Sequence, residues 1–462
     1  MDGAEGVEEG STGELRLSPP ARTVFALGDL TVNTALSALS IVYTTYFLTQ
    51  VTGLRPILAG LIPFVGRIID AVTDPLMGRL SDHTNLAGGR RRPYFLIGAI
   101  PFGASFALLW IDPGFTSQWG MFAYYAGVYC ILSVSSTVVS VPYLALIPEM
   151  ATDYDDRTSL NTYRAIGAIV GVFCAIALRP VAAMLGGGPQ GFAAAGAVYG
   201  AAMVLPWFLI HRVTFERPEF APRAATTPVL ESFRIALRRR SFVQLMGFYL
   251  TGRVAMDLVG AMLILYFTYW LGRGTEFELA MSAFLLTTIF VLPVWLRLSL
   301  RRDKGDVFRA GCAVWMVVQG FLVLAMPDTS DAVLYGFVCA AGIGYGAVDL
   351  MPWAMLGEVI DEDELETGER REGLYNGLFM FLRKLAGALV VLVVLGGLDL
   401  LGFAQGETQN EVVRIAILLL ATIAPAVLLG FSIWLASDYP ITRATHARIL
   451  GRLHDRKALG RS

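Results

Sequence analysis

Apolar residues occur in runs of about 20 along nearly the whole chain, and short polar segments separate the runs. A helix of that length covers the ~30 Å hydrocarbon core of a bilayer. The pattern therefore predicts an all-α membrane protein with twelve spans. They lie near residues 24–49, 56–81, 93–111, 119–147, 162–185, 192–211, 240–271, 277–299, 307–327, 332–358, 372–402 and 411–437.

The longest segment without a span covers residues 211–240, which are basic and contain proline. It falls between the sixth and seventh spans. The pattern therefore predicts an N-terminal six-helix half over 24–211, a linker over 212–239 and a C-terminal six-helix half over 240–437. Two such halves joined by a linker are the plan of the major facilitator superfamily.

Basic residues are concentrated in alternate loops, which predicts the orientation of the chain. Loops after odd-numbered spans carry only Arg55, Arg179 and Arg273, whereas the 212–240 segment alone carries seven arginines. By the positive-inside rule both termini are predicted to be cytoplasmic. Residues 1–23 are acidic and glycine-rich, which predicts a disordered cytoplasmic tail, and 438–462 form a second predicted cytoplasmic tail.

Composition agrees with this class and excludes several others. Of the 462 residues, 55% are hydrophobic and only 16% are charged, which is far from the balance of a soluble domain. The four cysteines lie in apolar runs without a CxxC motif, so neither a disulfide framework nor a zinc site is indicated. GIGYG at 342–346 lies inside a span, which favours helix packing over a dinucleotide loop. No enzyme motif, cofactor site or nucleic-acid partner is indicated.

Ionisable residues inside the second predicted span are the strongest functional signal. Arg67, Asp70 and Asp74 lie about one helical turn apart and share a face. Each such group near a bilayer centre costs roughly 2.5 to 3.5 kcal/mol even on the lenient insertion scale. An internal ion pair that supports packing is one interpretation. Two carboxylates beside one arginine favour the other, in which the surplus carboxylate holds a cation or a proton.

Other polar residues lie in apolar context and extend this set. Arg253 and Asp257 have the i,i+4 spacing at which they are expected to neutralise each other. Asp29 either belongs to the polar interior or lies near enough to the cytoplasmic surface to be hydrated. The remaining members are Asn33, Arg164, Asp349 and Lys384.

Three blocks carry a resemblance to a known family. They are RIIDAVTDPLMGRLSDHTNLAGGRRRPYFLIG, which begins at Arg67, VPYLALIPEMATDYDDRTSLNTYRA at 141–165, and PWAMLGEVIDEDELETGERREGLYNG at 352–377. In this order they resemble the glycoside–pentoside–hexuronide:cation symporters of the major facilitator superfamily, typified by melibiose permease. The resemblance implies twelve transmembrane helices in two six-helix halves around a central cavity.

The resemblance also implies roles for individual residues. Asp70 and Asp74 match the paired cation-site carboxylates, Thr73 takes the place of an asparagine ligand, and Thr137 matches a threonine ligand. Na+ or H+ is the implied coupling ion, with Na+ possible at Asp70 and Asp74. The implied residues of the substrate cavity and of coupling are Arg67, Asn33, Ser140, Leu144, Arg164 and Lys384.

Three of these positions depart from the family's galactoside transporters. Asn33 (or Thr34) and Ser140 replace two aspartates that hold the sugar, and Leu144 replaces a tryptophan. Without the carboxylates that accept sugar hydroxyls and the ring that stacks on the sugar, a galactoside is disfavoured. A different glycoside or a more apolar solute fits these positions better.

The sequence thus predicts a cation-coupled symporter of a small organic solute, most favourably a sugar or glycoside, in the plasma (inner) membrane. A carrier of a lysolipid or another amphipath, and a passive lipid scramblase, are the alternatives. Charged residues of the cytoplasmic loops are predicted to form an inner gate, although solvated loop charges are an equal alternative. They are Asp82, Arg90, Arg91, Arg92, Glu358, Asp361, Arg370 and Arg371.

Overall fold

The computed structural model describes residues 7–9, 15–84, 88–151, 154–217, 236–368, 371–404, 406 and 408–459. Nearly all of this part of the chain is helical, as the apolar runs predict. The helices are α1 Pro19–Ala38, α2 Pro56–His83, α3 Pro93–Leu109, α4 Gln118–Met150, α5 Tyr154–Met184, α6 Gly188–Val213, α7 Arg240–Leu265, α8 Phe277–Ser299, α9 Lys304–Phe321, α10 Asp331–Thr367, α11 Glu372–Leu400, α12 Glu411–Ala421, α13 Ile423–Leu435 and α14 Arg443–Leu459.

Several short elements extend or join these helices. α1 continues into a wider π-type helix over Leu39–Val51, and α7 continues into another over Tyr266–Trp270. Gly274–Glu276 and Leu322–Leu324 are 3-10 turns. Among the described residues, eleven helical segments are long and apolar enough to cross a membrane, and α3 is a shorter apolar helix. The all-α membrane class is therefore confirmed. The tenth predicted span ends at 358, whereas α10 continues to Thr367.

The described part of residues 1–23, which the sequence assigns to a tail, contains two short paired strands and the start of α1. Val7–Glu9 pairs antiparallel with Leu15–Leu17. α1 begins at Pro19 because Ser18 caps it, with the Ser18 hydroxyl accepting from the Ala21 N–H at 3.4 Å. A serine cap followed by proline is a helix-start signal that composition alone conceals.

The chain divides into two compact units, and the first of the boundaries between them falls within residues 212–239. The N unit comprises residues 1–224 and 395–406, and the C unit comprises residues 225–394 and 407–462.

Small residues bring helix backbones together in the N unit. A Cβ built on Gly167 of α5 would lie 2.4 Å from the carbonyl oxygen of Ala26 in α1, and one on Gly171 would lie 2.4 Å from that of Leu30. Only glycine permits this approach, which is the packing typical of membrane helices. The close contact of α1 with α5 places Asp29 beside Arg164.

The C unit packs around a buried aromatic core. Tyr249 of α7 stacks on Phe379 of α11 with ring centroids 4.3 Å apart, and Phe248 packs on Phe308 of α9. The GIGYG segment lies in α10 against α9, since a Cβ on Gly344 would lie 2.6 Å from the Trp315 Cβ. Helix packing, rather than a nucleotide loop, is therefore confirmed for that segment.

Candidate cation and solute site

Asp70 of α2 is held by two side chains of the N unit. Its Oδ2 accepts from Arg67 Nη1 at 3.0 Å, and its Oδ1 accepts from the hydroxyl of Ser133 on α4. Asp70 is 9% exposed, so both interactions are shielded from solvent. The i,i+3 ion pair anticipated from the sequence is present, and a hydroxyl from a second helix adds a contact to the carboxylate.

Asp74 has a matching arrangement one turn further along α2. Thr137 Oγ1 donates to Asp74 Oδ1 at 2.7 Å. Ser133 and Thr137 are spaced i,i+4 on α4, as Asp70 and Asp74 are on α2, so the two packed helices present carboxylates and hydroxyls in register. The Thr73 hydroxyl donates to the Ile69 carbonyl of its own helix at 3.0 Å.

The group formed by Arg67, Asp70, Asp74, Ser133 and Thr137, here named the α2–α4 cluster, offers oxygen atoms from two carboxylates and two hydroxyls. Oxygen donors are what hard cations such as Na+ require. The same carboxylates can accept a proton. The donor set therefore fits a monovalent cation or H+, and it carries two carboxylates against one guanidinium.

Three side chains from three helices form a second polar group in the N unit. Asp29 of α1 accepts from Arg164 Nε at 2.7 Å and from Arg164 Nη2 at 3.1 Å, which is a bidentate pair. Tyr143 of α4 donates its hydroxyl to Asp29 Oδ2 at 2.6 Å, and the Arg164 guanidinium lies 5.6 Å from the Tyr143 ring centroid. Asp29 is thus paired rather than simply hydrated.

Sequence reasoning missed Tyr143, because its contacts with other helices appear only in the folded structure. Its ring stacks on Phe25 at 4.3 Å, and a Cβ on Gly28 would lie 2.7 Å from the ring, so a glycine makes room for it. The tyrosine precedes Leu144, which was singled out. Tyr143 therefore joins α1, α4 and α5 at one point.

Three further residues predicted to line the solute cavity lie on α1 and α4 of the N unit. Asn33 Nδ2 donates to the Asp29 carbonyl at 2.8 Å, Ser140 is half-buried, and Leu144 is 49% exposed. Asn33 thus contacts Asp29 directly, and Leu144 follows Tyr143 of the same group in the sequence.

The C unit contains its own ion pair, as predicted. Arg253 Nη2 donates to Asp257 Oδ1 at 2.5 Å and its Nε donates to Asp257 Oδ2 at 3.1 Å, while Asp349 lies 3.7 Å from the guanidinium. A Cβ on Gly387 would lie 2.7 Å from Asp257 Oδ2, so α11 passes close to this pair. Lys384 lies about one turn before Gly387 and is half-buried.

The predicted gate residues of the N unit have partners that the sequence did not reveal. Arg90 Nη2 lies 2.7 Å from Glu149 Oε1, and Arg91 also pairs with this carboxylate. Arg92 donates to the His211 carbonyl at 2.6 Å. Burial lowers the pKa of Arg92 from its ordinary value, and the charge of Glu216 opposes that shift. The Asp82 side chain lies outside the described residues.

The gate residues of the C unit are paired in a similar way. Glu358 accepts from Lys304 at 2.8 Å, and Asp361 contacts His446 of α14 at 2.9 Å. Arg371 lies 3.9 Å from Asp363. Arg370 lies outside the described residues. Glu149, Lys304, Asp363 and His446 were not singled out by the sequence, because each becomes significant only through a partner distant in the chain.

Comparisons with known proteins agree on one family. A family model described as MFS/sugar transport protein matches residues 24–443. An uncharacterized symporter of Synechocystis is 29% identical over 90% of this chain and 93% of the relative. A putative glycoside/cation symporter of Escherichia coli is 28% identical over 86% of this chain and 87% of the relative. The mouse sodium-dependent lysophosphatidylcholine symporter 1 is 26% identical over 86% of this chain and 80% of the relative.

Solved transporters share the fold. A bacterial homolog of the lysosomal transporter Spinster, in an inward-facing and unoccupied conformation, superposes with a TM-score of 0.67 at 13% identity and covers 94% of this chain and 99% of its own. The nucleoside transporter NupG superposes with a TM-score of 0.64 at 15% identity, covering 91% of this chain and 98% of its own. At these identities the likeness concerns the fold alone.

Proposed function

Because the chain belongs to the MFS/sugar transport protein family, we propose that it is a secondary transporter that couples the entry of a cation to symport of a small organic solute. Relatives named as symporters, and a fold shared with solved transporters, support cation-coupled transport. The α2–α4 cluster is the proposed cation site. The observation that carries the proposal is the register of its two carboxylates with two hydroxyls.

The proposed cycle follows from charge. A carboxylate pair beside a single guanidinium carries a net negative charge when both members are ionised, and an apolar surrounding makes that state costly. Na+ or H+ removes the excess charge when it binds at Asp70 and Asp74. The neutralised state favours the conformational change that carries cation and solute across, which is alternating access. The Asp29–Arg164–Tyr143 group and Lys384 are the proposed links between solute and cation.

The direct test is uptake by purified protein in vesicles, driven in separate arms by an inward Na+ gradient and an inward proton gradient. Asp70→Asn and Asp74→Asn are expected to abolish gradient-driven uptake while the protein still inserts and remains folded. Asp112→Asn is a matched control, since Asp112 lies in an exposed loop, where it accepts a turn hydrogen bond from the Gly114 N–H at 2.9 Å. Retention of gradient-driven uptake in both cluster variants would exclude the proposed site.

A sugar or glycoside is the leading solute class, because a relative is named as a putative glycoside/cation symporter. A lysophospholipid is the second candidate, because other relatives are named lysophosphatidylcholine symporters. A panel of glycosides and lysolipids, scored by thermal stabilisation with and without Na+, separates them, since a bound ligand raises stability by mass action. Lipid movement without any ion gradient would instead indicate a passive scramblase.

The charged groups at the predicted cytoplasmic ends are proposed to contribute to an inner gate. Asp82, Arg90 to Arg92, Glu358, Asp361 and Arg370 to Arg371 remain its candidates. Asp82→Asn is expected to raise the labelling of a cysteine introduced in the inner vestibule. Unchanged labelling would identify these residues as solvated loop charges.

A further inference from the structure

Three consecutive backbone N–H groups converge on one side chain in the N unit. The amides of Arg90, Arg91 and Arg92 donate to the carboxylate of Glu216 at 2.8, 2.7 and 2.9 Å. Arg92 is the residue before the first turn of α3, where unsatisfied amides and the helix dipole favour an anion. Glu216 lies three residues beyond the end of α6, at the start of the segment that leads to the C unit.

The chain before α3 is shaped to receive this carboxylate. Gly88 and Gly89 have φ values of 101° and 123°, a conformation that favours glycine. A Cβ on Gly89 would lie 2.7 Å from Glu216 Oε1, whereas one on Gly88 would meet nothing within 4 Å. The second glycine therefore leaves space that the carboxylate fills.

The three arginines whose amides bind Glu216 direct their guanidinium groups elsewhere. Arg90 and Arg91 pair with Glu149 of α4, and Arg92 binds the carbonyl of His211 in α6. The Glu216 carboxylate thus binds the backbone of the three arginines, and their side chains contact α4 and α6. Loss of that carboxylate would leave the three amides without this acceptor and would remove its tie to the residues that follow α6.

We propose that Glu216 is a positioning residue that binds the three backbone amides leading into α3, fixes the Arg90–Arg92 loop and fastens residues 214–217 to that loop. The structural part of this inference is independent of transport. Its effect on transport rests on the function proposed above, because the loop contains predicted gate residues. The two parts are tested by separate measurements.

Hydrogen exchange of the full-length protein in lipid nanodiscs tests the structural part. In Glu216→Ala the amides of Arg90–Arg92 are expected to exchange roughly tenfold faster or more, because hydrogen bonds to a charged acceptor are lost. Glu216→Gln keeps one carbonyl acceptor, so intermediate exchange is expected. Asp455→Asn, which removes an exposed carboxylate from α14, is the charge control and leaves these amides unchanged. Exchange in Glu216→Ala equal to that of the unaltered protein would overturn the proposal.

The two glycines provide a test that leaves Glu216 in place. Gly88→Ala and Gly89→Ala impose a similar backbone cost, but only the second displaces the carboxylate. We expect Gly89→Ala to accelerate exchange at Arg90–Arg92 several-fold more than Gly88→Ala. Equal effects would overturn the proposal even if the Glu216→Ala protein failed to fold.

Uptake measurements address the transport part. Glu216→Ala is expected to lower the maximal uptake rate several-fold while the solute KM changes less than about twofold, and Glu216→Gln is expected to recover part of the rate. A fast-exchanging loop with unchanged uptake would confine Glu216 to a structural role and overturn the transport part. Absence of uptake in the unaltered protein would overturn the proposed function but leave the exchange result intact.

Discussion

At the scale of single residues, hydroxyl groups of α4 contribute to holding the α2 carboxylates. Ser133 and Thr137 bind Asp70 and Asp74 from a neighbouring helix. A hydroxyl can donate to a carboxylate in the absence of a cation and turn its lone pairs toward a cation when one binds. The same side chains thus serve both states of the proposed site.

Thr137→Val removes this hydroxyl with little change of shape. The apparent affinity for the coupling cation is expected to fall roughly tenfold, which corresponds to about 1.4 kcal/mol, near the net value of one hydrogen bond. Ser135→Ala is the control, because the Ser135 hydroxyl donates to the Ile131 carbonyl of its own helix at 2.8 Å. The apparent cation affinity of each variant is measured by titrating uptake with the coupling cation. If Thr137→Val and Ser135→Ala have equal affinities, Thr137 does not belong to the cation site.

The Asp29–Arg164 pair gives a second prediction at this scale. The side chains are 16% and 18% exposed, so Asp29→Asn leaves a mostly buried guanidinium without its carboxylate. We expect a loss of roughly 3 kcal/mol of unfolding free energy. Asp29→Asn combined with Arg164→Gln is expected to be less destabilised than the sum of the single variants. The unfolding free energies of the two single variants and the double variant are measured in detergent. If the losses of the single variants add up to that of the double variant, the two side chains are not coupled.

At the scale of helices, backbone contact between α1 and α5 positions the Asp29 group. Gly167 and Gly171 permit an approach that any larger residue would prevent. The Asp29–Arg164 geometry depends on this approach, because the two side chains reach each other across that interface. Packing and polar function are therefore coupled in this helix pair.

Gly167→Ala tests the contribution of the close approach. The added methyl group would meet the Ala26 carbonyl, so we expect a loss of roughly 1 to 3 kcal/mol of stability. Gly127→Ala in α4 is the matched control, since a Cβ there meets nothing within 4 Å. That change is expected to be neutral or to stabilise the helix by about 0.5 to 1 kcal/mol. Thermal unfolding of both variants distinguishes packing from helix propensity.

At the scale of the whole molecule, orientation in the membrane follows from loop charge. Arg55, Arg179 and Arg273 are few against the many basic residues of the alternate loops. Both termini are expected to be cytoplasmic. Green fluorescent protein fused after residue 462 should therefore fluoresce, and alkaline phosphatase inserted at Asp328 should be active. Phosphatase inserted at Asp303 is the control and should be inactive, and the opposite pattern would reverse the orientation.

Family and fold class could be predicted from the sequence because both depend on patterns that are local in the chain. Apolar runs of membrane-spanning length predicted the helices, and the three sequence blocks indicated the family that the comparisons confirm. Composition alone did not reveal that α1 begins at Pro19, directly after the capping Ser18. The roles of the site residues stay predictions.

The amino-acid sequence by itself determined which residues are costly in a membrane, and so it identified Asp70, Asp74 and Arg164. Only the tertiary structure decided what holds them. The sequence gives no reason to select Ser133, Tyr143 or Glu216, because their partners are distant in the chain. The energy of a buried charge depends on its partners, and a sequence pattern does not contain the distances to those partners.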